Sequence, residues 1–150
     1  MIMIVEDDDH KLSQIIEILD RLSIDELNRV YFDNVKDAVR FLVNVAPQKI
    51  LLDMSLPSHK ALSGEGTPLP MPTGGIEILF ELKRKRLLDT QVLILTQYPE
   101  IEIEDEPYPT NESASIFQEE YGFTELQTCH YEHNPNAKWI KITEDFLRKL

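Results

Sequence analysis

Ile50-Leu51-Leu52-Asp53-Met54-Ser55-Leu56-Pro57 is an apolar run too short for a helix, ending in a carboxylate and then in a proline that stops extension. It reads as a central parallel strand with an acid at its C-terminal tip. In open α/β sheets such tips open into a crevice edged by helix N-termini, which is where ligands and chemistry gather. Working outward, Met1-Ile2-Met3-Ile4-Val5 followed by Glu6-Asp7-Asp8-Asp9 is a second strand of the same kind, with its acids at the same end. Side by side, the two strands would bring roughly three or four negative charges into one small volume, which is costly unless a hard cation neutralises them. The pattern asks for Mg2+ or a close relative.

The rest of the chain supplies the partners of these strands. Leu12, Ile15, Ile16, Leu19 and Leu22 form the stripe of an amphipathic helix. Val30-Tyr31-Phe32 is a short strand, and Asp33-Asn34 offers an N-cap for a helix bearing Val35, Ala38, Val39 and Leu42, closed by Pro47 before the Asp53 strand begins at Lys49. Ser58 to Thr73 is rich in Gly, Pro and Ser and reads as an irregular loop of extended character. Gly74-Gly75 releases the chain into a helix with Ile76, Leu79, Phe80, Leu82 and Leu87, and Gln91 to Thr96 is a fourth buried strand.

Strands alternating with helices predict a parallel sheet with right-handed crossovers. Gln97 to Glu112 is acidic and punctuated by proline, and only Ser113 to Tyr121 looks helical, so the next crossover is predicted to be short or distorted. Leu126 to His133 is a fifth strand, with Asn134-Pro135 as cap and first residue of a last helix whose stripe is Trp139, Ile142, Phe146 and Leu150. The expected architecture is α/β, a flavodoxin-like, doubly wound, five-stranded parallel sheet of order 2-1-3-4-5, with residues 1–150 as one domain.

Composition narrows the function. A net charge of −12 over 150 residues argues against a phosphate-backbone binder, and the basic run Lys83 to Arg86 reads as a solvated helix face, so no nucleic acid is expected. Cys129 is the only cysteine, which excludes an internal disulfide and suits the cytoplasm. Neither a long apolar stretch nor a signal-like N-terminus is present, so membrane insertion is not expected.

A strand-tip Asp53, an acidic pair and the hydroxyl of Thr96 at the end of a neighbouring strand are the equipment for phosphoryl transfer to a carboxylate. Taken singly, each has a blander meaning, as a cap or as a solvated first helical turn. Together they resemble the response regulator receiver domain, over residues 1 to about 98. Val5-Glu6-Asp7-Asp8 resembles that family's acidic motif, and Asp53-Met54-Ser55-Leu56-Pro57 its phosphoacceptor motif. Gly75 with the following helix and Leu95-Thr96 match its glycine and its switch threonine. The resemblance implies Mg2+ held by Glu6, Asp7, Asp53 and the backbone carbonyl at Ser55. It also implies phosphorylation of Asp53 by a histidine kinase, a phosphotransfer protein or a small phosphodonor, and signalling to a downstream protein by contact. Catalysis would be at most self-phosphorylation and dephosphorylation of that aspartate, involving Asp53 and Thr96.

Three departures stand out. The loop between Pro57 and Gly75 is longer than the family norm, so something extra overhangs the site. The fourth crossover is acidic and broken. The lysine-proline pair after the fifth strand is missing, with Asn134-Pro135 nearest to it and Tyr131 where the family keeps its aromatic switch residue. Asn134, as a neutral amide, would weaken the grip on a phosphoryl group, and Lys138 reads as a surface residue. The rival reading is a pseudo-receiver, an interaction module that works without phosphorylation. Asp7-Asp8-Asp9 also imitates haloacid-dehalogenase-like phosphatases, but no later lysine and acidic motifs complete that set. Gly64-Glu65-Gly66 lacks the third glycine of a dinucleotide loop, and His130 and His133 on one strand would face opposite sides, against a zinc site with Cys129.

Overall fold

The computed structural model describes residues 1–134 and 137–149. Its elements, in chain order, are β1 (Ile2–Val5), α1 (Asp9–Arg21), β2 (Arg29–Phe32), α2 (Val35–Leu42), β3 (Lys49–Leu52), α3 (Gly74–Arg84), β4 (Gln91–Thr96), β5 (Glu100–Ile103), β6 (Glu106–Pro109), α4 (Thr110–Tyr121), β7 (Leu126–His130) and α5 (Lys138–Arg148). Five strands make one parallel sheet in the order β2-β1-β3-β4-β7. This is the predicted flavodoxin-like order, with β7 as fifth strand.

The central strands are apolar on both faces because both faces are covered. Met3, Val5, Ile50, Leu52, Val92 and Ile94 pack under α2, α3 and α4, whereas Ile4, Leu51, Leu93 and Leu95 pack under α1 and α5. Alternation along each strand divides these residues between the two cores. Asn34 caps α2 as expected, its side chain accepting from the Asp37 N–H at 2.9 Å. Gly74 and Gly75 sit where backbone meets backbone: a Cβ on Gly75 would lie 2.5 Å from the Asp53 carbonyl oxygen, and one on Gly74 2.8 Å from Leu56 Cβ.

Three expectations are corrected. The acidic stretch after β4 is a β-hairpin rather than a distorted crossover: Ile101 and Ile103 turn inward and Glu100 and Glu102 outward, the two-residue alternation of a strand. Its two-residue loop, Glu104-Asp105, has positive φ at both positions, as a primed hairpin turn needs. The Thr110 hydroxyl donates to the Tyr98 carbonyl at 2.7 Å across the hairpin base, and α4 starts there rather than at Ser113. Secondly, β7 ends at His130 instead of His133, because β4, its only strand partner among the described residues, also runs out at Thr96. Thirdly, α5 begins at Lys138, with Ala137 rather than Asn134 at its N-cap. The expectations for Pro135 and Leu150 fall outside the described residues.

Candidate functional site

Sheet register places the site. Val5 pairs with Leu52, and Leu52 with Ile94, so the next residues of β1 and β3, Glu6 and Asp53, emerge side by side at the C-terminal edge. The Asp53 N–H donates to the Val5 carbonyl at 3.0 Å, which carries the pairing up to the acid itself. Carboxylate oxygens of Glu6, Asp7 and Asp53 lie within 4.8 Å of one another. Asp8 leaves this group: its side chain accepts from the Lys11 N–H at 2.9 Å and caps α1.

Asp53 is 1% exposed. Its Oδ1 accepts from the Met54 N–H at 2.8 Å, while its Oδ2 is buried without a partner among the described residues. An orphaned carboxylate oxygen in that position is a strong acceptor that folding leaves unsatisfied, and an external cation or reacting group would satisfy it. Burial pushes the Glu6 carboxyl up to about 8, with Lys11 opposing and Asp53 adding to the shift. Burial and then Asp53 push Asp7 up to about 6. These are the signs of acids crowded together away from water. The set fits a hard, oxygen-seeking cation by donor type and spacing.

One member of the site was missed by sequence reasoning. Lys11, 1% exposed, extends from the first turn of α1 into the acidic group. Its ammonium lies 2.6 Å from Glu6 Oε1 and 3.4 Å from Asp53 Oδ1, and donates to the Leu95 carbonyl at 2.5 Å. The signal was available: the buried face of α1 is Lys11, Ile15, Ile18 and Leu19, so the lysine stands one turn before Ile15 on the apolar stripe.

Thr96 is wholly buried, and its hydroxyl oxygen accepts from the Tyr98 N–H at 3.2 Å. Tyr131 is buried beside it: its N–H donates to the Thr96 carbonyl at 2.7 Å, its hydroxyl donates to Gln14 Oε1, and its ring is 5.3 Å from the Lys11 ammonium. Ser55 is buried in the turn after Asp53. Asn134 is exposed and walls a separate cleft with Asn111, Cys129 and Trp139. Lys138 is exposed, as expected.

A cleft of about 500 Å³ opens beside the acids, walled by Glu6, Asp7, Leu12, Phe32, Asp37 and Lys60. Lys60 is how the long loop reaches the site. Residues 61–67 are exposed, and Met71 ties the loop back by a backbone bridge to Leu56. Gly64 and Gly66 stand in open space, which agrees with plain loop chemistry. Cys129 and His133 do not join in a metal-ligand group among the described residues; the His133 ring packs on Tyr131 instead.

No family model matches the chain. A relative does: the Detocs response regulatory protein DtcB of Vibrio alginolyticus is 58% identical over 99% of both chains. The chain belongs to the response regulator family. Solved structures of low identity agree on the fold. The Mn2+-bound form of response regulator Rcp1 superposes with a TM-score of 0.63 at 22% identity, over 96% of this chain and 88% of the other. The CheY-like receiver domain protein from Methanospirillum hungatei JF-1 gives 0.58 at 19%, over 97% and 91%. The haloacid-dehalogenase-like alternative falls with this membership. No helix among the described residues is long and apolar enough to cross a membrane.

Proposed function

We propose that this response regulator, working as one receiver-like domain over residues 1–150, accepts a phosphoryl group on Asp53 with Mg2+ as cofactor. The observation that carries the reading is the buried Oδ2 of Asp53, without a partner among the described residues, beside two further carboxylates. Glu6, Asp7, Asp53 and the Ser55 backbone carbonyl would hold the ion, which supplies charge neutralisation for an incoming phosphoryl group. A carboxylate oxygen of Asp53 attacks phosphorus, the bond from phosphorus to the donor's leaving atom breaks, and that atom keeps the electron pair; the product is an acyl phosphate. Met54 N–H holds Oδ1 and so orients the attacking carboxylate. Thr96, one strand over, and Tyr131, bonded to the Thr96 carbonyl, are the switch pair that reads the new charge, while exposed Asn134 would add at most a neutral hydrogen bond.

The donor in this reading is a histidine kinase or phosphotransfer protein, the readout is contact with a downstream protein, and the compartment is the cytoplasm. Relatedness to a response regulatory protein supports the reading, as does the Mn2+ carried by a receiver of the same fold. Incubation with acetyl phosphate and Mg2+ followed by intact-mass measurement tests it. One added phosphoryl mass, absent in Asp53→Asn, is expected. An unmodified wild-type chain would overturn it in favour of an interaction module without phosphorylation.

A further inference from the structure

We propose that Lys11 is the phosphoryl-binding cation of this receiver, delivered from the first helix to a site whose last loop carries Asn134 where a lysine is expected. The inference rests on the reading of Asp53 as phosphoacceptor. Lys11 stands where a lysine is doubly disfavoured. Its ammonium is removed from water, and it belongs to the first turn of α1, where the helix dipole repels positive charge. A lysine with only a packing role would leave its charged end in solvent.

What holds it there is the acidic group, and its contacts go further than neutralisation requires. Glu6 takes the ammonium at 2.6 Å, and Asp53 Oδ1 is the next carboxylate at 3.4 Å. The remaining contacts are the Leu95 carbonyl at 2.5 Å and the Gln97 side-chain oxygen at 3.4 Å, the two residues flanking Thr96. One ammonium thus touches the aspartate that would carry the phosphoryl group and both neighbours of the switch threonine, under the ring of Tyr131. A phosphoryl group on Asp53 adds oxygens within reach of this charge. The ammonium then exchanges carboxylate or carbonyl contacts for phosphoryl oxygens, which alters its hold on the end of β4. With a divalent cation bound, ionised Glu6, Asp7 and Asp53 carboxylates would balance its two charges and the one on the ammonium.

The test uses beryllofluoride as phosphoryl mimic on the whole chain. Wild type and Lys11→Met, a substitution of similar length, are titrated first with Mg2+ and then with beryllofluoride at saturating Mg2+. Lys11→Met is expected to bind Mg2+ at least as tightly as wild type, because a competing cation has gone. It should bind beryllofluoride about tenfold to a hundredfold more weakly, the factor of one charge-assisted hydrogen bond. In unsubstituted protein, the 15N resonance of the Lys11 ammonium should shift when beryllofluoride is added, beyond any shift with Mg2+; this readout stands even where Lys11→Met does not fold. Equal beryllofluoride affinity in the two proteins, or an unmoved ammonium resonance in wild type that binds the mimic, overturns the role of Lys11 alone. Wild type that fails to bind beryllofluoride overturns the phosphoacceptor reading, and this inference with it.

Discussion

The Lys11 ammonium, carried on α1, sits 3.4 Å from Asp53 Oδ1 beyond the end of β3, although the two residues are forty-two positions apart in the chain, at 11 and 53. The same ammonium holds Glu6 and the Leu95 carbonyl, so it joins β1, β3 and β4 at one point. A cation already present there changes what the exposed Asn134 must do. With Lys11 in place, Asn134→Lys is expected to change beryllofluoride affinity by less than about threefold, a fraction of what one buried charge-assisted bond contributes. Fluorine NMR titration of both proteins checks this; a gain of an order of magnitude would show that the last loop had lacked its charge.

In the absence of a divalent cation the acidic group opposes folding, with a definite pH signature. Glu6 and Asp7 hold protons more tightly when folded, at about 8 and about 6 against ordinary values of 4.5 and 3.8. A raised acid leaves stability intact below its unfolded value and removes it as pH rises through the folded one. Metal-free protein should therefore lose melting temperature from about pH 5 to pH 8, and Mg2+ should restore it at the upper end. Asp53→Asn removes one of the crowded charges while its side-chain oxygen can still accept from Met54 N–H. It should melt about 2 °C or more above wild type at pH 8 without Mg2+, and gain less from the ion. Scanning calorimetry across pH decides, and a wild-type profile indifferent to both pH and Mg2+ would count against the crowding.

Gly75→Ala should destabilise the fold by about 1–3 kcal/mol, the range for forcing extra atoms into a packed site. Its new Cβ would meet the Asp53 carbonyl oxygen at 2.5 Å and Met54 Cα at 2.9 Å, both backbone atoms that cannot swing away. Urea unfolding measures it, together with the Mg2+ response, since relief of the clash moves the Asp53 turn.

Lys49 closes the opposite end of the sheet. Its ammonium caps α5 by donating to the Phe146 and Leu147 carbonyls at 2.7 and 2.8 Å. Lys49→Met should cost about 1–3 kcal/mol through carbonyls left buried and unbonded. Phosphorylation of Asp53 should be unaffected, because the two sites lie at opposite ends of β3. Unfolding curves beside intact-mass spectra separate the two effects.

Replacing the exposed residues 61–67 by a short Gly-Ser link should leave the melting temperature nearly unchanged, since loop-closure entropy varies slowly with length. Extending the deletion through Met71 should lower it, because the backbone bridge to Leu56 goes as well.

Sheet order, the helical layers and the acidic edge were legible from periodicity, because each follows from neighbours along the chain: alternating strands and helices, and carboxylates at the ends of two apolar runs. Asp53, Glu6 and Asp7 meet because parallel register brings equivalent strand ends together, which the sequence determines once the strands are recognised. The hairpin at Glu100–Pro109 also carried its two-residue alternation, hidden there by acidity and prolines. The place of Lys11 on the apolar stripe of α1 was legible, but what holds its charge there was decided only in three dimensions. A lysine in the first turn of a helix reads as solvated, and local chemistry favours that reading. Its ammonium is held inside because β1, β3 and β4 deliver two carboxylates and a carbonyl to the same few ångströms, an electrostatic environment built by residues remote from it in sequence.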